Sequence, residues 1–177
     1  MLIGREYTRL SNQFLESDKE YRGKLHLGVS TDTYDREGEV TDRSDRIPTI
    51  EEVKTVLQSF QGTISQIPPM YSAKKVNGEK LYDLARKGVT IERQPIQVEV
   101  EIELIGHSYP TLELQVKCSK GTYIRTLAHD IGNLLGCGAH LSELKRTRSG
   151  NFHIDECISQ ELLKTGGFDP LDHLRFS

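Results

Sequence analysis

Residues 117–130 read KCSKGTYIRTLAHD, passing from a strand-like alternation through one glycine into a helical pattern. Beyond the glycine, apolar residues fall at Ile124, Leu127, Ala128, Ile131, Leu134 and Leu135 and stop at Gly136. That spacing predicts an amphipathic helix with one buried stripe. Gly121 is then the turn and Thr122 the expected N-cap, with Tyr123 and Arg125 in the first helical turn. The start of a helix carries free N–H groups and partial positive charge, so it favours an anion and disfavours a cation such as Arg125. A residue set against local stability in this way hints at function. The plainer alternative stays open here: Tyr123 packs as an edge aromatic and Arg125 pairs with a surface acid.

Upstream of this corner, 111–119 (TLELQVKCS) alternates, and 95–106 (PIQVEVEIELIG) alternates more strictly. Ile96, Val98, Val100, Ile102 and Leu104 point one way, and Gln97, Glu99, Glu101 and Glu103 the other. With only HSYP between them, the two runs form an antiparallel hairpin, its acidic row toward water. Residues 19–28 (KEYRGKLHLG) make another half-buried strand, with Tyr21, Gly23, Leu25 and Leu27 on one face. TDTYDREGEV (31–40) is a polar loop or hairpin. Residues 49–62 are the clearest helix, opened by a Thr49/Glu52 capping box, striped by Ile50, Val53, Leu57 and Phe60, and closed by Gly62. In 66–88 two prolines force an extended entry, Asn77-Gly78 predicts a type I′ hairpin turn, and a short helix follows with Leu81, Leu84 and Ala85 on one side. The opening MLIGREYTRLSNQF has no capping signal, and its Leu2, Ile3, Leu10, Phe14 and Leu15 need partners. The expectation is that the domain's true amino-terminal part lies upstream.

The 177 residues include 23 Lys and Arg against 26 Asp and Glu, a net charge of −3, and mean hydropathy is −0.50. No apolar run approaches the roughly 18 residues of a membrane span, so no membrane partner is expected. Three cysteines without a C-x-x-C pair argue against a zinc ribbon or disulfide framework and fit a reducing cytoplasm. The six histidines show no metal-ligating spacing, and there is neither a Gly-rich phosphate loop nor a nucleophile elbow. Charge is segregated along the chain. Acids gather in 30–39 and 97–104, bases in 72–80, 116–125 and 144–150, which would allow one positive face despite the total. Lys145, Arg146 and Arg148 lie beside Leu141 and Leu144, and with Tyr21 and Tyr123 they supply what an RNA nucleotide needs: cations for phosphate, apolar and aromatic surfaces for an unstacked base. A basic strand over core leucines is the competing structural reading.

Four ordered segments carry a resemblance: DKEYRGKLHLGVSTDTYDREGEV (18–40), FQGTISQIPPMYSAKKVNGEKLYDLARKG (60–88), KCSKGTYIRTLAHDIGNLLGCGAHLSEL (117–144) and RTRSG (146–150). In these the chain resembles the TruB family, bacterial pseudouridine synthases that act on the T-loop uridine of tRNA. The resemblance implies an α/β fold of the α+β type, a mixed, largely antiparallel sheet with packed helices. It implies isomerisation of uridine to pseudouridine with no metal or organic cofactor, by a monomer whose partner is the T-arm stem-loop of tRNA. Tyr21 matches the tyrosine that packs against the target base and takes part in its proton chemistry. Tyr123 and Arg125 match a substrate-pocket tyrosine and the arginine that pairs with the catalytic aspartate. Leu144 matches a residue contacting the flipped nucleotide. Lys19, Lys74, Lys75, Lys120, Lys145, Arg146 and Arg148 would hold the RNA arm.

One feature of the family is missing from these residues. Its attacking aspartate sits in a GHxGTLDPxATG-like motif that does not occur here, and Asp32, Asp35 and Asp130 lie in no such context. The expectation is therefore a partial catalytic domain over 1–177, without the nucleophile and without a C-terminal PUA-like domain. Arg125 is expected to lack that aspartate, its intended partner. A non-catalytic RNA-binding module and a non-functional remnant are the alternatives.

Overall fold

The structure is a computed structural model and describes residues 5–9, 11–76, 78–164 and 169. Leu2, Ile3, Leu10, Asn77 and the Phe14 side chain, singled out above, lie outside what it describes. Two short helices, α1 (Arg5–Thr8) and α2 (Ser11–Glu16), lead into β1 (Lys19–Leu27). A two-stranded ribbon follows, β2 (Val29–Thr31) with β3 (Val40–Arg43), joined by the acidic loop. Then come α3 (Ile50–Ser59), β4 (Gly62–Gln66), a small hairpin of β5 (Lys75–Val76) and β6 (Glu79–Lys80), and α4 (Leu81–Arg86). The long hairpin is β7 (Ile96–Ser108) and β8 (Thr111–Cys118). It is followed by α5 (Ile124–Leu134), β9 (Ala139–Ser149), β10 (Phe152–His153), a 3₁₀ turn and α6 (Gln160–Lys164).

Six strands form one sheet in the order β10-β9-β1-β8-β7-β4, and every neighbouring pair is antiparallel. This is the expected largely antiparallel sheet, and among the described residues an isolated parallel bridge joins Asp35 to Leu141. Strand alternation decides which face is covered. Leu25 and Leu27, Val98, Val100 and Ile102, and Leu112, Leu114 and Val116 are buried on one face beneath Val53 and Leu57 of α3 and Leu127 and Ile131 of α5. Each such side chain contributes about 1.5–3 kcal/mol by leaving water. Glu99, Glu101 and Glu103 are exposed, as the alternation of β7 predicts. No described helix is long and apolar enough to cross a membrane.

The local signals explain the element ends. Thr49 Oγ1 accepts the Glu52 N–H at 3.3 Å while Glu52 Oε2 accepts the Thr49 N–H at 2.7 Å, so the predicted capping box forms. Gly62, at φ +81°, turns the chain from α3 directly into β4. Ser108 and Thr111 pair across Tyr109-Pro110, which confirms the tight β7–β8 connection. At α5 the sequence reading needs correction. Tyr123, not Thr122, is the N-cap, with extended φ −102° and ψ 103° and no side-chain cap. The Thr122 hydroxyl is committed elsewhere, donating to the Ser119 carbonyl at 2.9 Å and tightening the turn before the helix.

Candidate functional site

An open pocket of about 440 Å³ lies beside the start of α5. Tyr21 enters it from β1, Tyr123 and Arg125 from the α5 corner, Leu144 and Arg146 from β9, and Asp35 from the loop between β2 and β3. Tyr21 and Arg146 face each other across the β1–β9 register, with the Arg146 guanidinium 5.4 Å from the centre of the Tyr21 ring. A cation over an aromatic face at this distance contributes about 0.5–1 kcal/mol and fixes the ring's tilt. Leu144, on β9 opposite Gly23 of β1, is 47% exposed and offers the pocket an apolar surface.

Arg125, expected to be without the family's attacking aspartate, pairs with a different carboxylate. Its Nη1 lies 3.0 Å from Asp35 Oδ2, and its Nη2 donates to the Tyr71 carbonyl. Both partners of the ion pair are about three-quarters buried, so the pair is screened less than a surface pair. The loop that delivers Asp35 is tied at several points. The Asp35 carbonyl accepts the Thr31 hydroxyl at 2.7 Å, and Leu141 N donates to Tyr34 O at 2.9 Å. Tyr34 sits at φ +66°, which is strained for a side-chain-bearing residue, and its ring stacks on His129 with centroids 3.9 Å apart. Burial lowers the pKa of His129, which favours the neutral ring in that stack.

The charges are less segregated in space than along the chain. Asp35, Glu37 and Glu143 border the pocket with Arg36, Arg125 and Arg146. Of the seven cations assigned to RNA, Arg146 lines it. Lys120 pairs with Glu16 at 2.7 Å and Arg148 with Glu20 at 2.7 Å. Lys19 Nζ donates to the Leu15 carbonyl at 2.6 Å and to that of Ser17. Lys145 pairs in register with Arg22, between the pocket-lining Leu144 and Arg146, so strand alternation turns it to the opposite side. Lys74 and Lys75 lie at the start of the β5–β6 hairpin and are not among the residues that line the pocket. Among the described residues no three His, Cys, Asp or Glu gather as a metal site.

Asp130 lies on α5. Burial pushes its carboxyl up to about 6. A raised carboxylate pKa means the folded state tolerates the protonated form better, so the stabilising effect is complete below about pH 4 and is lost as pH rises through about 6. Asp130→Asn is therefore expected to stabilise the protein by about 1.5 kcal/mol near pH 7.5, a figure halved for the water that reaches the group, and to give no gain near pH 4. Urea unfolding at the two pH values measures this; an equal effect at both would mean that the change acts through packing.

Comparison with known proteins returns one family. Residues 1–124 match the N-terminal domain of TruB family pseudouridylate synthases, and residues 125–167 match the tRNA pseudouridylate synthase B C-terminal domain. The boundary between the two matches falls in the first turn of α5, although β9 beyond it pairs with β1 before it. The tRNA pseudouridine synthase B of Chlamydia muridarum is 57% identical over 175 residues, covering 99% of this chain and 73% of the relative. That of Francisella philomiragia is 48% identical over 165 residues, covering 92% and 55%. Among solved structures, a chain of a Cbf5-Nop10-Gar1 complex superposes with a TM-score of 0.65 at 28% identity, covering 95% of this chain and 44% of its own. A chain of an H/ACA RNP bound to a substrate RNA gives 0.61 at 26%, covering 96% and 41%.

Proposed function

We propose, since the chain belongs to the TruB family of pseudouridylate synthases, that its pocket is one wall of a site that receives a uridine flipped out of a tRNA T-arm and serves its isomerisation to pseudouridine. The observation that carries this reading is the convergence of Tyr21, Tyr123, Arg125 and Leu144, distant in sequence, on one pocket with Arg125 held by Asp35. The reaction breaks the C1′–N1 bond and joins C1′ to C5. The C5 proton leaves to solvent and N1 takes one up, so the product is an isomer and no redox partner is needed. An enzyme working at N1 and C5 must extrude the base, because both atoms are inaccessible in a stacked loop. The rings of Tyr21 and Tyr123 and the Leu144 side chain give the extruded base flat and apolar surfaces, worth about 1–3 kcal/mol per stacked base. Arg125, fixed from two sides, presents its remaining N–H groups to a second carboxylate or to the developing charge on the sugar or base.

The family's attacking aspartate has no counterpart in motif context within these 177 residues. This chain by itself is therefore proposed to bind the T-arm without turning it over. The test is tritium release from tRNA labelled at C5 of uridine, run beside hairpin binding. Binding without release is expected. Release well above a boiled control would mean that a carboxylate of this chain, Asp35 first, does the chemistry. Arg146→Ala is expected to weaken hairpin binding and to lower the slope of log K against log salt by about 1, the signature of one lost phosphate contact. An unchanged slope would leave Arg146 only its place over Tyr21.

A further inference from the structure

Gln66 ends β4 and is 1% exposed, yet its side chain makes no use of the sheet. Its Oε1 accepts the Tyr123 N–H at 2.8 Å, and its Nε2 donates to the Tyr123 carbonyl at 3.1 Å. A primary amide bonded to both the N–H and the carbonyl of one residue reproduces the paired bonds of an antiparallel β-bridge, supplied by a side chain. Tyr123 has need of it. As the N-cap of α5 it has no side-chain cap, and its N–H precedes the helix, where no intrahelical acceptor exists. Its carbonyl already accepts the Leu127 N–H at 3.1 Å, so the Gln66 amide occupies the second lone pair. Five residues on, the Tyr71 carbonyl accepts from Arg125, so the segment 66–71 grips the corner at two pocket residues, Tyr123 and Arg125. Lysine or arginine could not replace this amide, since neither can accept the Tyr123 N–H.

We infer that Gln66 is a positioning residue for the base-recognition wall: by clamping the backbone of Tyr123 it sets the direction in which the Tyr123 ring enters the pocket. The inference rests on the RNA reading above. It separates two duties that a purely structural glutamine would not. The clamp acts on the contact with the extruded base and leaves the phosphate contacts of the arm alone.

The experiment compares binding of two T-arm hairpins to the full chain, one carrying the target uridine and one an abasic residue at that position. The wild type is expected to prefer the uridine hairpin by roughly tenfold, the contribution of one stacked base. Gln66→Met keeps the side chain's length and volume without its hydrogen bonds. It is expected to erase that preference while binding the abasic hairpin as the wild type does. Gln66→Glu adds a reversible version. Ionised, near about pH 8, it sets an acceptor oxygen against the Tyr123 carbonyl in place of the donating Nε2 and the preference is lost; protonated, near about pH 5.5, the carboxylic acid donates and accepts as the amide did and the preference returns, burial having raised its pKa. The wild type and the abasic hairpin, run over the same pH range, remove pH effects on the RNA. A wild type that prefers uridine together with a Gln66→Met protein that prefers it equally overturns the assignment of Gln66 alone. A wild type that does not distinguish the hairpins overturns the RNA reading and the assignment with it. Loss of the preference in Gln66→Glu at every pH, alongside loss of abasic binding in both variants, reduces Gln66 to a folding residue and also overturns the inference.

Discussion

With the Asp-bearing segment of a TruB family member joined ahead of Met1, Arg125→Ala is expected to lower tritium release from C5-labelled tRNA by about 10²–10³-fold, the usual effect of removing one preorganised charge from a reaction site. Hairpin affinity should change by less than about threefold. The separation follows from where the guanidinium is held. One nitrogen is 3.0 Å from Asp35 and another donates to the Tyr71 carbonyl, so its orientation is set before substrate arrives. It is also only a quarter exposed, and too enclosed to serve chiefly as a phosphate contact. A charge buried and oriented in advance affects the step in which charge develops more than the binding that precedes it. Asp35→Ala should produce a smaller version of the same loss, because the arginine would keep its carbonyl anchor but not its direction. If both variants lost affinity and turnover in equal measure, Arg125 would be an RNA contact and the assigned role would fail.

The fold was legible wherever one residue type repeated at a fixed period. The alternation of 95–106 and 111–119 located β7 and β8, and the Thr49/Glu52 pair located the start of α3, because those signals are complete within a dozen residues. The pocket was legible in part for a different reason. Tyr21, Tyr123, Arg125 and Leu144 were reached through motifs, and β1, α5 and β9 do bring them together. What could not be read was pairing over long separations. Asp35 lies 90 residues before Arg125 in a loop whose acids read as a solvated surface, and nothing local to TDTYDREGEV marks the third aspartate-or-tyrosine position as turned inward. Beside it Tyr34 sits at positive φ and stacks on His129, a contact that spans 95 residues of chain (129 − 34). The partners of the basic residues were illegible for a related reason: strand alternation turns Lys145 and Arg146 to opposite sides, and Glu16 and Glu20, close in sequence to neither Lys120 nor Arg148, pair with them.

Gly132→Ala is expected to destabilise the protein by about 3 kcal/mol or more, at the upper end of what overpacking does, because the obstacle is backbone. A Cβ at Gly132 would lie 2.2 Å from Ala139 N, 2.5 Å from the Gly138 carbonyl carbon and 2.6 Å from Ala139 Cβ. The turn after α5 folds back onto this glycine, whose carbonyl accepts the N–H of both Cys137 and Gly138. The clash cannot be relieved by rotating a side chain; either α5 lifts from the start of β9 or the turn opens. Against a total stability of about 5–15 kcal/mol, such a loss is large enough to appear as a low urea midpoint. Gly62→Ala is the control. Gly62 needs φ +81° but a Cβ there meets nothing within 4 Å, so only the left-handed backbone is penalised, by about 1–2 kcal/mol. Adding Ala139→Gly to Gly132→Ala should recover little, since it removes the Cβ contact and leaves the 2.2 Å approach to the amide nitrogen. Full recovery would mean that the two side chains, and not the backbone, set the distance. The same change should reach the pocket, because α5 carries Arg125 at its first turn and Gly132 at its last. A helix displaced at Gly132 cannot keep a guanidinium 3.0 Å from Asp35, so uridine preference in the hairpin assay should fall with stability in Gly132→Ala and stay intact in Gly62→Ala.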